Sequence, residues 1–181
     1  VHNRTPWTPE QAPQNHAGPA AAPLTAELAV VVTGARRRAV RDGDRHTDTA
    51  HLLHSLIESD PEVREAFEGG PQLARVLGYL VQRSIGYGLR WQGAQEDSGA
   101  FRAVREPGTD AWSPSATAAL ERAARSAGRR GDPCAEGLDL LAALIADPGC
   151  RAVEVLERAG VDVTPLAGRV AGRLAVLGRS E

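Results

Sequence analysis

Residues 24–60 read LTAELAVVVTGARRRAVRDGDRHTDTAHLLHSLIESD, and residues 112–148 read WSPSATAALERAARSAGRRGDPCAEGLDLLAALIADP. At a shift of 88 positions, without a gap, the two stretches agree where a helical core and its turns are built. Ala35 and Ala39 fall on Ala123 and Ala127, and Arg37 and Arg41 fall on Arg125 and Arg129. Gly43-Asp44 falls on Gly131-Asp132, Leu52-Leu53 on Leu140-Leu141, and Leu56-Ile57 on Leu144-Ile145. Agreement confined to core-face and turn positions is what a duplicated structural unit requires. Two units of this size predict one body of about eight helices.

Working outward, each copy keeps a helical period. Leu24, Leu28, Val31, Val32, Ala35 and Ala39 recur at three- and four-residue steps, with Thr25 as N-cap and Gly43 as the stop. A second helix carries Leu52, Leu53, Leu56 and Ile57, and Asp60-Pro61 opens a third that runs to about Phe67. After Gly69-Gly70, Pro71 opens a fourth with Leu73, Val76, Leu77, Leu80 and Val81. In the second copy Ser113-Pro114 opens the first helix, with Ala119, Leu120 and Ala123 on its apolar stripe and Gly131 at its end. Leu138, Leu140, Leu141, Leu144 and Ile145 mark the next. Asp147-Pro148 is expected to cap the third, with Val153, Val155 and Leu156, and Thr164-Pro165 the fourth, with Leu166, Val170 and Leu174. The predicted fold is all-α, a pseudo-two-fold tandem repeat of two four-helix units.

The expected organisation has four parts. Residues 1–23, with Pro6, Pro9, Pro13, Pro19 and Pro23, read as a flexible arm bearing Trp7. Residues 24–83 form the first unit. Residues 84–111, interrupted by Gly86, Gly88, Gly93, Gly99 and Gly108, form a connector that Tyr87, Leu89, Trp91 and Phe101 tack to the surface. Residues 112–181 form the second unit.

Composition narrows the chemistry. Of 181 residues 42% are apolar but only 4% aromatic, so the core must be Ala, Leu, Val and Ile, a mix suited to close helix packing. The net charge of −2 does not mark a bulk polyanion binder. There is no lysine, so a phosphate-binding P-loop and a Schiff base are both excluded. Cys134 and Cys150 have no metal-finger spacing, and a reducing cytoplasm fits them best. No run of 18 apolar residues occurs and no secretory signal is visible, so no membrane association is expected.

Candidate sites are few. His51 lies on one helix face with His54 and with Asp48, and His46 is near, a set that could present imidazole and carboxylate to a metal. Its expected role is structural, with no metal and no cofactor. Arg36, Arg37, Arg38 and Arg41 span several faces of one helix and are expected to be solvated charges, not a nucleic-acid patch. No G-x-S-x-G motif or catalytic triad can be assembled, so no enzymatic activity is expected. Cys134 aligns with His46 and is expected to be a small buried residue.

The order Leu24-Thr25, a long helix, Gly43, Thr49-Ala50-His51-Leu52-Leu53 and Leu56-Ile57 resembles the N-terminal domain of Clp/Hsp100 protein unfoldases. The second copy carries it as Trp112-Ser113-Pro114, Gly131, Gly137-Leu138-Asp139-Leu140-Leu141 and Leu144-Ile145. The resemblance covers roughly residues 24–83 and 112–177. It implies a tandem repeat of four-helix units that binds substrates, adaptor proteins and some antibiotics. In the ClpC branch the Glu of a T-E-H motif also binds phosphorylated arginine. Here that position is Ala50 in one copy and Leu138 in the other, so no preference for phospho-arginine is expected. Without ATPase domains, no unfolding activity is expected. The expected partners are a Clp ATPase or protease component, an adaptor or a client, and the expected role is adaptor or degron recognition. The alternative is a decoy that sequesters Clp-targeting cyclic peptide antibiotics or peptides. The ligand groove is expected between the first helices of the two copies, with Leu24, Thr25 and Val31 on one side and Trp112, Ser113 and Leu120 on the other.

Overall fold

The computed structural model describes residues 23–84 and 112–178. The expected arm, with Trp7, and the expected connector, with Tyr87, Trp91 and Phe101, lie outside the described residues. The described residues form eight helices: α1 (Ala26–Asp42), α2 (Thr49–Ser59), α3 (Pro61–Glu65), α4 (Gly70–Ser84), α5 (Pro114–Arg130), α6 (Gly137–Ile145), α7 (Arg151–Arg158) and α8 (Val163–Leu177). They contain isolated β-bridges but no strand.

The two long helices begin and end by the same devices. Thr25 Oγ1 accepts from Leu28 N at 3.2 Å, and Ser113 Oγ accepts from Ala116 N at 3.2 Å. Gly43 (φ 73°) and Gly131 (φ 87°) turn each chain through the left-handed region, which a side chain would strain. Each then donates its N–H back to carbonyls of the last turn.

α1 packs on α2 and α5 on α6, while α2 and α6 meet at the centre. One core runs through both repeats: Leu52, Leu53, Leu56 and Ile57 from α2, with Leu138, Leu140, Leu141 and Leu144 from α6, all buried. Ile145, expected beside them, is only half-buried, because α6 ends there. The inner face of α5 is nearly all alanine (Ala116, Ala119, Ala123, Ala127), so its backbone can approach α6 closely.

Two helix starts differ from the sequence reading. α7 is capped by Cys150, not by Asp147-Pro148. Asp147 Oδ1 instead accepts from Gly149 N at 3.1 Å, which makes a turn between α6 and α7. α8 starts at Asp162, whose Oδ1 accepts from Thr164 N at 3.0 Å. Pro165 therefore sits inside the first turn, where its missing N–H costs no helical bond. α3 also ends at Glu65, before Phe67. The added turn and the longer α7 move the register of the repeat beyond Asp60, so that Arg75 now corresponds to Arg169.

The seam between the repeats is reciprocal. Leu24 bridges to Ala135, with Thr25 N donating to Ala135 O at 3.0 Å and Ala135 N to Pro23 O at 2.7 Å. Trp112 bridges to Thr47, with Ser113 N donating to Thr47 O at 2.9 Å. Arg75 of α4 donates Nε to Ala159 O at 3.1 Å, and Arg169 of α8 donates Nε to Ala66 O at 2.6 Å. Ala159 and Ala66 are the C-caps of α7 and α3. Each repeat's last helix thus supplies the cation that closes the other repeat's third helix, where the dipole favours positive charge.

Candidate functional site

The same seam explains a difference between Thr49 and Gly137, the equivalent first residues of α2 and α6. α7 gets no side-chain bond from its own cap Cys150, and Thr49 Oγ1 accepts from Ala152 N at 3.1 Å in its place. α3 is already capped by Asp60, whose Oδ1 accepts from Glu62 N at 2.9 Å and Val63 N at 3.2 Å. The Asp60 carboxylate occupies the space a side chain at 137 would need, with Asp60 Cγ at 2.9 Å and Leu56 Cδ1 at 3.2 Å from a Cβ built there. Only glycine fits.

Around this contact lies a groove of about 440 Å³ whose walls include Thr25, Glu27, Asp60, Glu62, Glu136 and Gly137. Both repeats contribute to it. Glu27, Glu62 and Glu136 have no ion pair among the described residues. The Glu136 carboxyl is pushed above the usual range, first by burial and then by Glu62, Asp139, Asp132 and Asp60. A cation entering the groove would relieve that repulsion.

The six residues expected to line a groove between α1 and α5 do not share one surface. Thr25 alone reaches the acidic groove. Val31 is in the core, 1% exposed, and Ser113 is buried as the α5 cap. Leu24 and Trp112 are half-buried at the two seam bridges, and Leu120 packs half-buried against the core. Ala50 (0% exposed) and Leu138 (1%) are also in the core, so neither acid position of the T-E-H motif faces solvent here.

The histidines separate. His51 is 2% exposed, with Nε2 3.1 Å from Asp44 Oδ2 and Nδ1 2.8 Å from Asp48 Oδ1. His54 contacts a different pair, Arg38 and Glu58, while His46 is half-buried in the loop before α2. Ligand atoms of Asp42, Asp44 and His51 lie within 4.8 Å of one another. The Arg83 guanidinium already answers that charge, with NH2 2.7 Å from Asp44 Oδ2 and 2.5 Å from Asp48 Oδ2.

Asp48 is the node of this network. It is 1% exposed, caps α2 through His51 N at 3.0 Å, and accepts from Arg151 NH1 of α7 at 2.7 Å. Burial opposes its charge, but His51, Arg83 and Arg151 hold its pKa well below the usual range. Burial likewise opposes a charged His51, yet hydrogen bonds to Asp44 and Asp48 raise its pKa. The second repeat keeps the geometry with the charges exchanged: Asp139 stands where His51 does, Arg130 where Asp42 does, and they pair at 2.6 Å. Arg83 and Arg151 were not legible as partners, since each is distant in sequence and carries no motif.

The arginine run is only partly solvated. Arg36 stacks over Trp112, 5.1 Å from the ring centroid, and Arg38 inserts between α1 and α2 with a side chain 15% exposed. Arg37 and Arg41 are exposed as expected. Cys134, expected to be buried, is half-exposed in the α5–α6 loop, since Ala135 beside it fills the core position. No described helix is long and apolar enough to cross a membrane.

No protein-family model matches the sequence, and no curated protein matches it. Solved structures do match. The N-terminal domain of the caseinolytic-protease-associated chaperone ClpD from Arabidopsis thaliana superposes with a TM-score of 0.60 at 21% identity, over 84% of this chain and 94% of that one. The Hsp104 N-terminal domain from Candida albicans gives 0.62 at 13% identity, over 82% and 89%. A protein from a malarial secretion system gives 0.58 at 15%, over 83% and 93%. With eight helices among its described residues, in two reciprocal units, the chain has the fold of the Clp/Hsp100 N-terminal domain.

Proposed function

We propose that this chain recognises protein or peptide segments for a Clp-type system, as an adaptor or client-recognition unit, and catalyses no reaction. The observation that carries this reading is the acidic groove at the seam. Both repeats build it, it is of a size to take one or two side chains, and three of its carboxylates have no cation among the described residues. A guanidinium on an exposed, extended segment is the natural complement, because it pairs with carboxylates bidentately. With Ala50 and Leu138 in the core, the acids here are Glu27, Glu62 and Glu136. A phosphoryl group beside them adds like charge, so plain arginine is preferred over phospho-arginine.

The test is fluorescence anisotropy of a labelled arginine-containing peptide, its phospho-arginine form and an alanine control. Binding should favour arginine, weaken with salt, and fall in Glu62→Gln/Glu136→Gln. Equal binding of all three peptides, or tightest binding of the phospho-form, contradicts the proposal. Capture from native lysate on the same variants separates roles: a Clp subunit lost with the groove supports the adaptor, and a cyclic peptide recovered in its place supports a decoy.

A further inference from the structure

The first repeat carries a second groove, along α1 and α2 beside Gly34. Gly34 lies where α1 crosses α2, and a Cβ there would stand 3.1 Å from Ser55 Oγ. Its counterpart in α5 is Arg122, whose NH1 donates to Ala143 O at 2.8 Å, so that its guanidinium lies across the α5–α6 crevice. Gly34 places no side chain at the crossing, and a groove of about 630 Å³ runs beside it.

Its walls are basic and partly apolar. Arg38 is fixed within it, with Nε 3.3 Å from Ser55 Oγ, NH1 3.4 Å from His54 Nδ1, and NH2 paired with Glu58. His54 is held neutral by burial and by Arg38, its pKa pushed down to about 4, so it adds no charge at neutral pH. Arg37 and Arg41 stand exposed on the rim. Arg37 makes no hydrogen bond or ion pair among the described residues, and Arg41 reaches only Asp42, at 3.7 Å. Val30, one turn before Gly34, is 62% exposed on the same wall. Glu58 is matched by Arg38, which leaves the rim arginines to set the sign of the field.

We propose that the α1–α2 groove of the first repeat binds an extended acidic segment of a partner protein. Carboxylates of the segment meet Arg37 and Arg41, and an apolar side chain lies on Val30 over the gap left by Gly34. Fixing Arg38 in advance lowers the ordering cost of such a contact. The inference rests on the reading of the chain as a protein-binding module but uses a different face from the acidic seam groove, and the opposite charge.

The experiment is anisotropy on the full chain with a short fluorescein-labelled peptide of Asp and Glu around one Leu. The acidic peptide should bind and weaken as salt rises. Arg37→Glu/Arg41→Glu should weaken it about tenfold or more while thermal unfolding is unchanged, since both residues are exposed. Gly34→Arg, which transplants the plug of the second repeat, should also remove binding. If it destabilises the fold, the double charge reversal alone decides. The proposal is overturned if the acidic peptide fails to bind, if the double variant binds it as well as the wild type, or if single-stranded oligonucleotide displaces it at concentrations below the peptide's own Kd. Should the acidic peptide fail while arginine peptide still binds the seam, only this inference falls.

Discussion

Asp48→Ala should be among the most damaging single substitutions in the chain. Asp48 ends three separate loads: the N-terminus of α2, the Arg83 guanidinium from α4, and the Arg151 guanidinium from α7. Loss of the cap alone costs about 1 kcal/mol. Both arginine side chains are nearly buried, 9% and 11% exposed, and breaking such a pair by deleting one partner costs about 3–5 kcal/mol. Arg83 keeps Asp44 at 2.7 Å, so the combined loss should stay within about 3–5 kcal/mol and not exceed it. Against a domain stability of about 5–15 kcal/mol, that is plainly visible in urea unfolding followed by far-ultraviolet circular dichroism. Asp48→Asn keeps a cap oxygen and loses only the charge, so it should fall between Ala and wild type. Glu136 occupies the equivalent position in the second repeat but is exposed and holds no cation among the described residues, so Glu136→Ala should cost less than about 1 kcal/mol. A loss below about 1 kcal/mol for Asp48→Ala, or equal losses at 48 and 136, would refute the assignment of Asp48 as the seam's node.

Leu56→Ala and Leu144→Ala remove equivalent, fully buried side chains and should each cost about 2–5 kcal/mol in the same assay, and to similar extents; a silent change at either site would break the repeat. Gly137→Ala should lower the melting temperature, because it displaces the Asp60 carboxylate that caps α3, whereas Gly172→Ala, with open space around it, should not. Stability should peak near neutrality, because His54, its pKa held down to about 4, costs the fold stability as pH falls below its ordinary value of 6.5. The raised pKa of His51 stabilises the fold fully below its ordinary value of 6.5 and is lost as pH rises through the raised value. The lowered pKa values of Asp44 and Asp48 stabilise it above 3.8 and are lost as pH falls. A series of melting temperatures against pH should therefore fall on both sides, and His51→Gln should flatten the alkaline side; an unchanged alkaline limb would assign that loss to another group.

The helices were legible because their signals are local. Thr25, Gly43, Ser113 and Gly131 mark their ends in sequence as they do in space, and the leucines of α2 and α6 announce the core by period. The starts of α7 and α8 were misplaced because Asp-Pro and Thr-Pro pairs satisfy a cap pattern without forming one. Asp147 closes a turn, and Asp162 captures the cap two residues before Thr164. The site was far less legible. Its acids come from α1, α3 and the start of α6, and nothing in sequence brings Glu27, Glu62 and Glu136 together. The expectation of a groove between α1 and α5 took the repeat as a simple two-fold contact of first helices, whereas α2 and α6 occupy the centre. The arginine run looked uniform in sequence, yet Arg36, Arg37 and Arg38 meet an indole, open solvent and a buried pair in turn, because consecutive helix positions face different directions.

Recognition of a basic peptide segment by the seam groove can be read by amide NMR of the full chain titrated with an arginine-containing peptide and with its phospho-arginine form. Saturable shifts are expected at Thr25, Glu62 and Gly137 with the first peptide and much weaker ones with the second. Shifts absent from all three residues at saturation, or stronger with the phospho-arginine form, would contradict it.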